Sequence, residues 1–458
     1  MNEPSAFIDG ELSPNTDCPP TPMPSPPGAR LLSDIESSFF YSTDLPYVPG
    51  FKPLENKTIS MNATHLNQGS YLKKEGNLTE FDFHGLSGYL ESIVTHDFLN
   101  TNLKQSLPFI LSRSTLFSQG PYSFHWTGDN NADWDFFRTS ISEIFNFQLF
   151  GIPFVGVDLC GFGGNTTEEL CARWMQAGAF FPFSRNHNQI YMISQEPYAW
   201  GTNSPVYQAS QKSLKLRYSI LKWYYSIFAR NNGTGSVFRP LFFDFEETYL
   251  LTVEDEFLLG NELLFAPIVT QNSTFRQVIF PGNTTVWFDF FNGSNTFYAG
   301  PASYGIFNAL NSTPPIFQKE GTIIYMQNSD NVKTVKDLNN VFTLKIALSK
   351  GTNNNFTAQG VMMAIENYTN SDDVSQLCTG NADCLLNIQA TGFLDGNNKL
   401  NITIGFTNFS QKSNVQTNYV GKLDIVGIVR VDGSYNTYTE NLTQSVVCAS
   451  GNIINRLI

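Results

Sequence analysis

Between Pro108 and Asn188 one pattern of apolar and polar positions repeats: a short apolar run, a polar or charged residue at its end, then an amphipathic helix. The runs are PFILS from Pro108, YSFHW from Tyr122, PFVGV from Pro153 and AFFPFS from Ala179, followed in turn by Arg113, Asp129, Asp158 and His187. Short strands alternating with helices predict parallel pairing. Polar side chains gathered at the carboxyl ends of successive parallel strands describe the active face of a (β/α)8 barrel, and four such units make half of one.

On either side the pattern differs. The Pro- and Ser-rich stretch from Leu12 to Gly50 can build neither a sheet ladder nor a long helix and predicts a surface excursion. Leu86, Leu90, Ile93 and Phe98 predict a helix over 85–99. Phe137, Ile141, Ile144, Phe145 and Leu149 predict another over 133–150, with Gly151 as its stop. Thr166 with Glu169 reads as a capping box for the helix carrying Leu170, Trp174 and Met175. A long helix is predicted over 205–230, striped by Leu214, Tyr218, Leu221 and Tyr225. From Ser236 the period shortens, and VFRPLFFDF, ELLFAPIV, QVIFPG, TVWFDF and GTIIYMQ read as antiparallel strands. After about Ser329 the alternation in VFTLKIAL, LNITIGF and KLDIVGIVRV predicts a second, separate β-sandwich. The expected fold is α/β plus all-β: the C-terminal half of a (β/α)8 TIM barrel over 1–230, then a proximal β domain over 231–329 and a distal β domain over 330–458, both antiparallel sandwiches.

Length and charge narrow the function. A chain of 458 residues supports two or three domains. With 27 basic against 40 acidic residues and no basic cluster, it would repel a polyanion, which argues against nucleic acid. No apolar run is long enough for a membrane span, and the start, MNEPSAFIDG, has no signal-peptide character. Yet fourteen Asn-x-Ser/Thr sequons predict a chain that enters the secretory pathway. The two signals are reconciled if Met1 is not the true start. Six cysteines are present, and Cys160 and Cys171 bracket a short loop from a strand end to a helix start. A bridge there would clamp that loop and stabilise by about 3 kcal/mol. Cys378 and Cys384 form a second candidate pair. Zinc is the competing use of these residues, but no C-x2-C spacing or neighbouring His supports it. Neither a metal nor a nucleotide motif is present, so no cofactor is expected.

The residues His125 to Asn130, HWTGDN, resemble a signature of glycoside hydrolase family 31, the α-glucosidase family. RST at Arg113, GIPFVGVDLCGF, TTEELCARWMQ and FPFSRNHN resemble its barrel motifs, in the family's order. RPLFFDF and PPIFQKEGTIIYMQ are similar to the start and end of its proximal β domain, so the resemblance runs roughly from Met1 to Gln327. It implies a retaining mechanism in which one carboxylate attacks the anomeric carbon and a second, roughly 5 Å away, protonates the leaving oxygen and then deprotonates water. By resemblance Asp129 is that acid/base, a role that calls for a raised pKa in a water-poor pocket. Arg113, Asp158 and His187 correspond to residues that hydrogen-bond sugar hydroxyls in the first subsite, and Trp126 and Phe162 to its aromatic wall. Met1 joins the substrate-binding set.

The same resemblance places the attacking Asp directly before Met-Asn-Glu-Pro, the motif with which this chain opens. The nucleophile is therefore expected one residue upstream of Met1, with the first four strands. Half a barrel leaves sheet edges unpaired, which predicts aggregation and no turnover by this chain alone. The cysteine pair and RNHN are more similar to the lysosomal and digestive maltase branch, while Cys18 lacks its family partner near Ser60. These readings imply a fragment of an exo-acting α-glucosidase bound for a lysosome-like compartment or the cell exterior, with maltose, an oligosaccharide or a glucan as substrate. The rival is a non-catalytic carbohydrate-binding or structural glycoprotein.

Overall fold

The helices Trp134–Leu149 and Glu168–Gly178 follow the 3.6-residue apolar period and open on a side-chain cap, whereas Ser87–Thr101 begins at Leu86 without one. The structure is a computed structural model that describes residues 64–65, 78–104, 108–230, 233–293, 296–298, 304–308, 314–339, 341–363, 385–395, 397, 399–408, 419–429, 435–447 and 453–457. The chain divides into two units, Met1–Ser123 and Phe124–Ile458.

In the first unit, strands β1 (Thr64–His65) and β2 (Leu78–Thr79) pair antiparallel. Helix α1 (Glu80–Phe83) and helix α2 (Ser87–Thr101) follow, then strand β3 (Leu111–Ser112). The expected helix over 85–99 is present, although Phe98 from its apolar stripe is exposed. The buried Gln119 amide donates to Ser92 Oγ on α2 at 3.0 Å and to Ser112 Oγ on β3 at 2.6 Å. These bonds tie helix to strand, and Arg113 directly follows that strand.

The second unit opens with β4 (Phe124–Trp126), helix α3 (Trp134–Leu149), β5 (Val155–Gly156), β6 (Asp158–Leu159), helix α4 (Glu168–Gly178), β7 (Arg185–Asn186) and helix α5 (Pro205–Arg230). Parallel pairing is observed for β4 with β5 and for β6 with β7. The run PFVGV contributes only β5, and β6 follows it directly, because the ladder changes partner on either side of buried Val157. AFFPFS is not a strand. Its residues turn, and the half-buried Arg217 guanidinium on α5 donates to the carbonyls of Ala179, Phe181 and Pro182. Phe183 N donates to Val155 O on β5 at 3.0 Å, and the strand itself begins at Arg185.

Three further helix expectations shift by a residue or more. Asp133 caps α3 by accepting from Phe136 N, and Phe137, Ile141, Ile144 and Phe145 are buried as the spacing predicts, but Leu149 is exposed. The cap of α4 is Thr167, which accepts from Leu170 N, and not Thr166. Glu169 forms no box because its carboxylate accepts from Asn272 N. On α5 the buried face carries Ser219, Ile220, Trp223, Tyr224 and Ile227, one position round from the expected stripe. The strands it packs on select that face.

The remainder is β. A six-stranded sheet orders β13 (Thr296–Tyr298), β12 (Val286–Asp289), β15 (Ile316–Lys319), β10 (Leu263–Phe265), β9 (Phe257–Leu259) and β8 (Phe238–Arg239). Beside it β11 (Phe275–Ile279) pairs antiparallel with β14 (Tyr304–Asn308). A larger mixed sheet is built from β16 (Thr322–Gln327), β17 (Val341–Ala347), β18 (Ser349–Lys350), β19 (Asn355–Met363), β20 (Leu385–Leu394), β21 (Leu400–Asn408), β22 (Tyr419–Val429), β23 (Tyr435–Val447) and β24 (Ile453–Leu457). Its strands alternate as a half-buried sheet must: Ile402, Ile404 and Phe406 are buried and Asn401, Thr403 and Thr407 exposed. GTIIYMQ, expected to close the proximal domain, is β16 and hydrogen-bonds along its length with β17, so it belongs to the larger sheet. Tyr325 from this strand donates to Lys222 O on α5 at 2.7 Å.

Candidate active site

The site residues of the second unit stand on the ends of β4, β6 and β7. Thr127 N donates to Gly156 O at 3.0 Å, which extends the β4–β5 ladder past Trp126. Gly128 then takes φ +83°, a conformation that favours glycine, and turns the chain. The next two residues separate: Asp129 is exposed and Asn130 buried. Asn130 holds the turn in place, donating from Nδ2 to Asp158 O at 3.0 Å and accepting Phe162 N and Gly163 N at its own carbonyl. Gly161, at φ +92°, permits this contact, since a Cβ there would lie 2.4 Å from Ala132 N.

Asp158 is the buried member of the group. It faces Arg185 across the β6–β7 register, and its Oδ1 accepts Arg185 Nε at 3.0 Å and Nη2 at 2.5 Å. Burial raises the pKa of this carboxyl, while Arg185 and His187 oppose the rise and Asp129 adds to it. Asp129 and His187 are therefore close enough to act on Asp158 electrostatically. The Phe162 and His187 rings meet at a tilt, with centroids 5.3 Å apart. The expected Cys160–Cys171 disulfide is present and fastens the loop bearing Phe162 to the first turn of α4. The buried Gln195 amide donates to Leu159 O, Gly161 O and His187 O, which locks that loop to the end of β7.

The structure thus brings together Trp126, Asp129, Asp158, Phe162 and His187 on one set of strand ends. Arg113 belongs to the first unit, and Met1, Cys378 and Cys384 lie outside the described residues. The expectation of a water-poor surrounding for Asp129 is not met in this chain, because the turn at Gly128 sets it on the exposed side. Arg185, Asn130 and Gln195 did not stand out in the sequence. Strand alternation offered a signal for the first, since it puts Arg185 two positions before His187 and on the same face.

Three buried polar atoms of this wall have no hydrogen-bond partner among the described residues: Asp158 Oδ2, Asn130 Oδ1 and Trp126 Nε1. Two acceptors and one donor in a dry wall suit a polyhydroxylated ligand, because buried groups left unpaired cost free energy. Among the described residues no three His, Cys, Asp or Glu side chains gather closely enough to hold a metal ion.

This fold is that of a sugar-cleaving hydrolase family. The TIM-barrel domain model of glycosyl hydrolases family 31 matches residues 1–227, and that family's C-terminal domain model matches residues 234–324. The chain belongs to glycosyl hydrolase family 31. It is 38% identical over 445 residues to a lysosomal acid alpha-glucosidase of Tetrahymena pyriformis, covering 92% of this chain and 47% of that protein. It is 36% identical over 304 residues to an alpha-glucosidase of Schizosaccharomyces pombe, covering 66% of this chain and 30% of the relative. The chain spans about half the length, or less, of the curated relatives it matches. Among solved structures, a glucosidase II alpha subunit superposes with a TM-score of 0.65 at 23% identity, over 84% of this chain and 41% of the other. A Flavobacterium johnsoniae dextranase of the family gives 0.63 at 22% identity, over 76% and 42%. These likenesses support the fold.

Proposed function

We propose that this chain is part of a retaining, exo-acting α-glucosidase that removes terminal α-linked glucose from maltose-type oligosaccharides or glucans. The observation that carries the reading is the grouping of Asp129, buried Asp158 and His187 at strand ends beside Trp126 and Phe162, in a member of this family. In it Asp129 protonates the leaving oxygen and then deprotonates water. Asp158 and His187 hold hydroxyls of the first sugar, with Arg113 and Met1 completing that set, and Trp126 and Phe162 form the wall. The attacking carboxylate is the Asp that the family motif places before Met1. The exposure of Asp129 accords with a pocket to which further elements contribute.

The domain division follows the same reading, with barrel over 1–230, proximal β domain from 231 and distal β domain to 458, the boundary between the two β domains falling before Thr322 rather than at 329, since β16 pairs along its length with β17. A route through the secretory pathway to a lysosome or the cell exterior is supported by the sequons. Asn165, Asn272, Asn283, Asn292, Asn355, Asn401 and Asn441 are all exposed, as a glycan acceptor must be.

The test is kinetic. The 458-residue chain alone is expected to show no turnover of maltose or an aryl α-glucoside. The protein extended through its upstream coding sequence is expected to hydrolyse both, and Asp129→Asn to cost about 10²- to 10⁴-fold in maltose turnover. Full turnover by the short chain would overturn the assignment of the attacking group, and unchanged maltose turnover in Asp129→Asn would overturn the acid/base assignment.

A further inference from the structure

Asp158 presents a chemical problem to any ligand that needs it as an acceptor. Its carboxyl is fully buried, and burial favours the protonated form, in which one oxygen becomes a donor. A buried carboxyl with free rotation could also turn either oxygen to the ligand. Arg185 removes both freedoms. Its Nε and Nη2 converge on the single oxygen Oδ1, and Oδ2 is left with no hydrogen-bond partner among the described residues. A planar guanidinium imposes this directional grip, whereas an ammonium supplies charge without the fork.

The same guanidinium is held by rings. Its central carbon lies 5.0 Å from the centroid of Trp126 and 5.7 Å from that of Phe183, both within cation–π range. Trp126 is the residue whose buried Nε1–H also lacks a partner. Arg185 therefore touches, at once, the two side chains of the wall that have an unspent acceptor and an unspent donor. Behind it, the neighbouring Asn186 amide donates to Gln195 O at 3.0 Å, and Gln195 Nε2 returns a bond to Asn186 Oδ1 at 2.9 Å, so the strand end is braced.

We infer that Arg185 is a positioning residue for sugar recognition: its two nitrogens fix Oδ1 of Asp158 so that Oδ2 is kept for the ligand, and its plane sets that of Trp126 beside it. This rests on the glucosidase reading for the identity of the ligand. Arg185 touches no reacting atom in this scheme, so its loss should act on sugar affinity and on pH dependence more than on the chemical step.

The experiment uses the protein extended through its upstream coding sequence, with Arg185→Met, Arg185→Lys, Asp158→Asn and the double variant Arg185→Met/Asp158→Asn. Calorimetry with the glucose-shaped iminosugar 1-deoxynojirimycin reads affinity, and maltose hydrolysis reads KM and kcat. Arg185→Met is expected to weaken iminosugar binding and raise KM by about 10- to 100-fold, the size of one lost charge-assisted contact, with a smaller change in kcat. The acid limb of kcat/KM should move to higher pH, because Asp158 loses the guanidinium that opposes its desolvation and keeps only His187 on that side. Arg185→Lys should restore the limb but only part of the affinity, since it returns charge without the fork. On the Asp158→Asn background, Arg185→Met should cost little more. Should Arg185→Met fail to accumulate folded, Arg185→Lys carries the test through its split between limb and affinity. Iminosugar affinity and pH profile unchanged in both single variants, or full additivity in the double variant, would overturn the inference. Asp129→Asn, measured alongside, tests the glucosidase reading separately.

Discussion

Glu256 shows how far a single side chain can depart from its solution behaviour in this fold. Its carboxylate is 1% exposed, accepts Ile279 N with both oxygens and faces Arg276 at 3.1 Å, with Asp255 beside it on the same guanidinium. Burial pushes its pKa up to about 8 from an ordinary 4.5, against the pull of Arg276 and with a push from Asp255. The folded form therefore binds a proton that the unfolded form releases between those two values. Stability from this group is fully present below about pH 4.5 and is lost as pH rises through about 8. The thermal midpoint is expected to fall across that window, and Glu256→Gln, which stays neutral, to flatten the fall. A slope that is the same in both proteins would show that Glu256 does not supply it. Asp158, also buried but with a forked partner, shows how a cation can oppose the same desolvation.

Among elements, α4 is the most informative, because two adjacent threonines compete to start it. Thr166 with Glu169 has the spacing of a capping box, yet Thr167 takes the extended backbone and accepts Leu170 N at 3.3 Å. The acidic side chain that would complete the box reaches across to Asn272 N at 2.9 Å. Thr167→Ala is accordingly expected to destabilise by about 1 kcal/mol in chemical denaturation, and Thr166→Val, which keeps the shape, by much less. The reverse order would restore the cap to Thr166. The long helix α5 makes a related point. Its length was legible to the residue, from Pro205 to Arg230, but its buried face was not. That face is rich in serine: Ser210, Ser213, Ser219 and Ser226 are buried alongside Trp223 and Tyr224. Small side chains let strands come close, and a hydrophobicity pattern does not register them.

In the whole second unit, one apolar cluster runs without interruption from Phe137 on α3 through Trp174, Phe181 and Trp223 to Ile346, Ile404 and Ile454 in the larger sheet. Barrel-side helices and distal strands therefore share a core. Trp223→Ala is expected to destabilise by about 3–5 kcal/mol, and helical and β circular-dichroism signals of this unit should shift together. Two separated transitions, with only the helical one moved, would show that the core is not energetically continuous.

The chain's own pattern determined where the helices lie, that strands alternate with them and pair in parallel, and which motif residues belong to a sugar-cleaving family. Those features are set by local periodicity and by side-chain chemistry at strand ends, both written along the chain. Tertiary structure alone decided the change of ladder partner around Val157, the late strand at Arg185, the cap on Thr167 and the transfer of Thr322–Gln327 to the larger sheet. It also decided that Arg185 grips one oxygen of Asp158 and leaves the other unpaired. Several of these depend on a partner outside the local pattern, Arg217 for the turned run, Asn272 for the acid that leaves the box and Arg185 for Asp158, and a residue's own neighbours along the chain do not encode which distant hydrogen bond it will make.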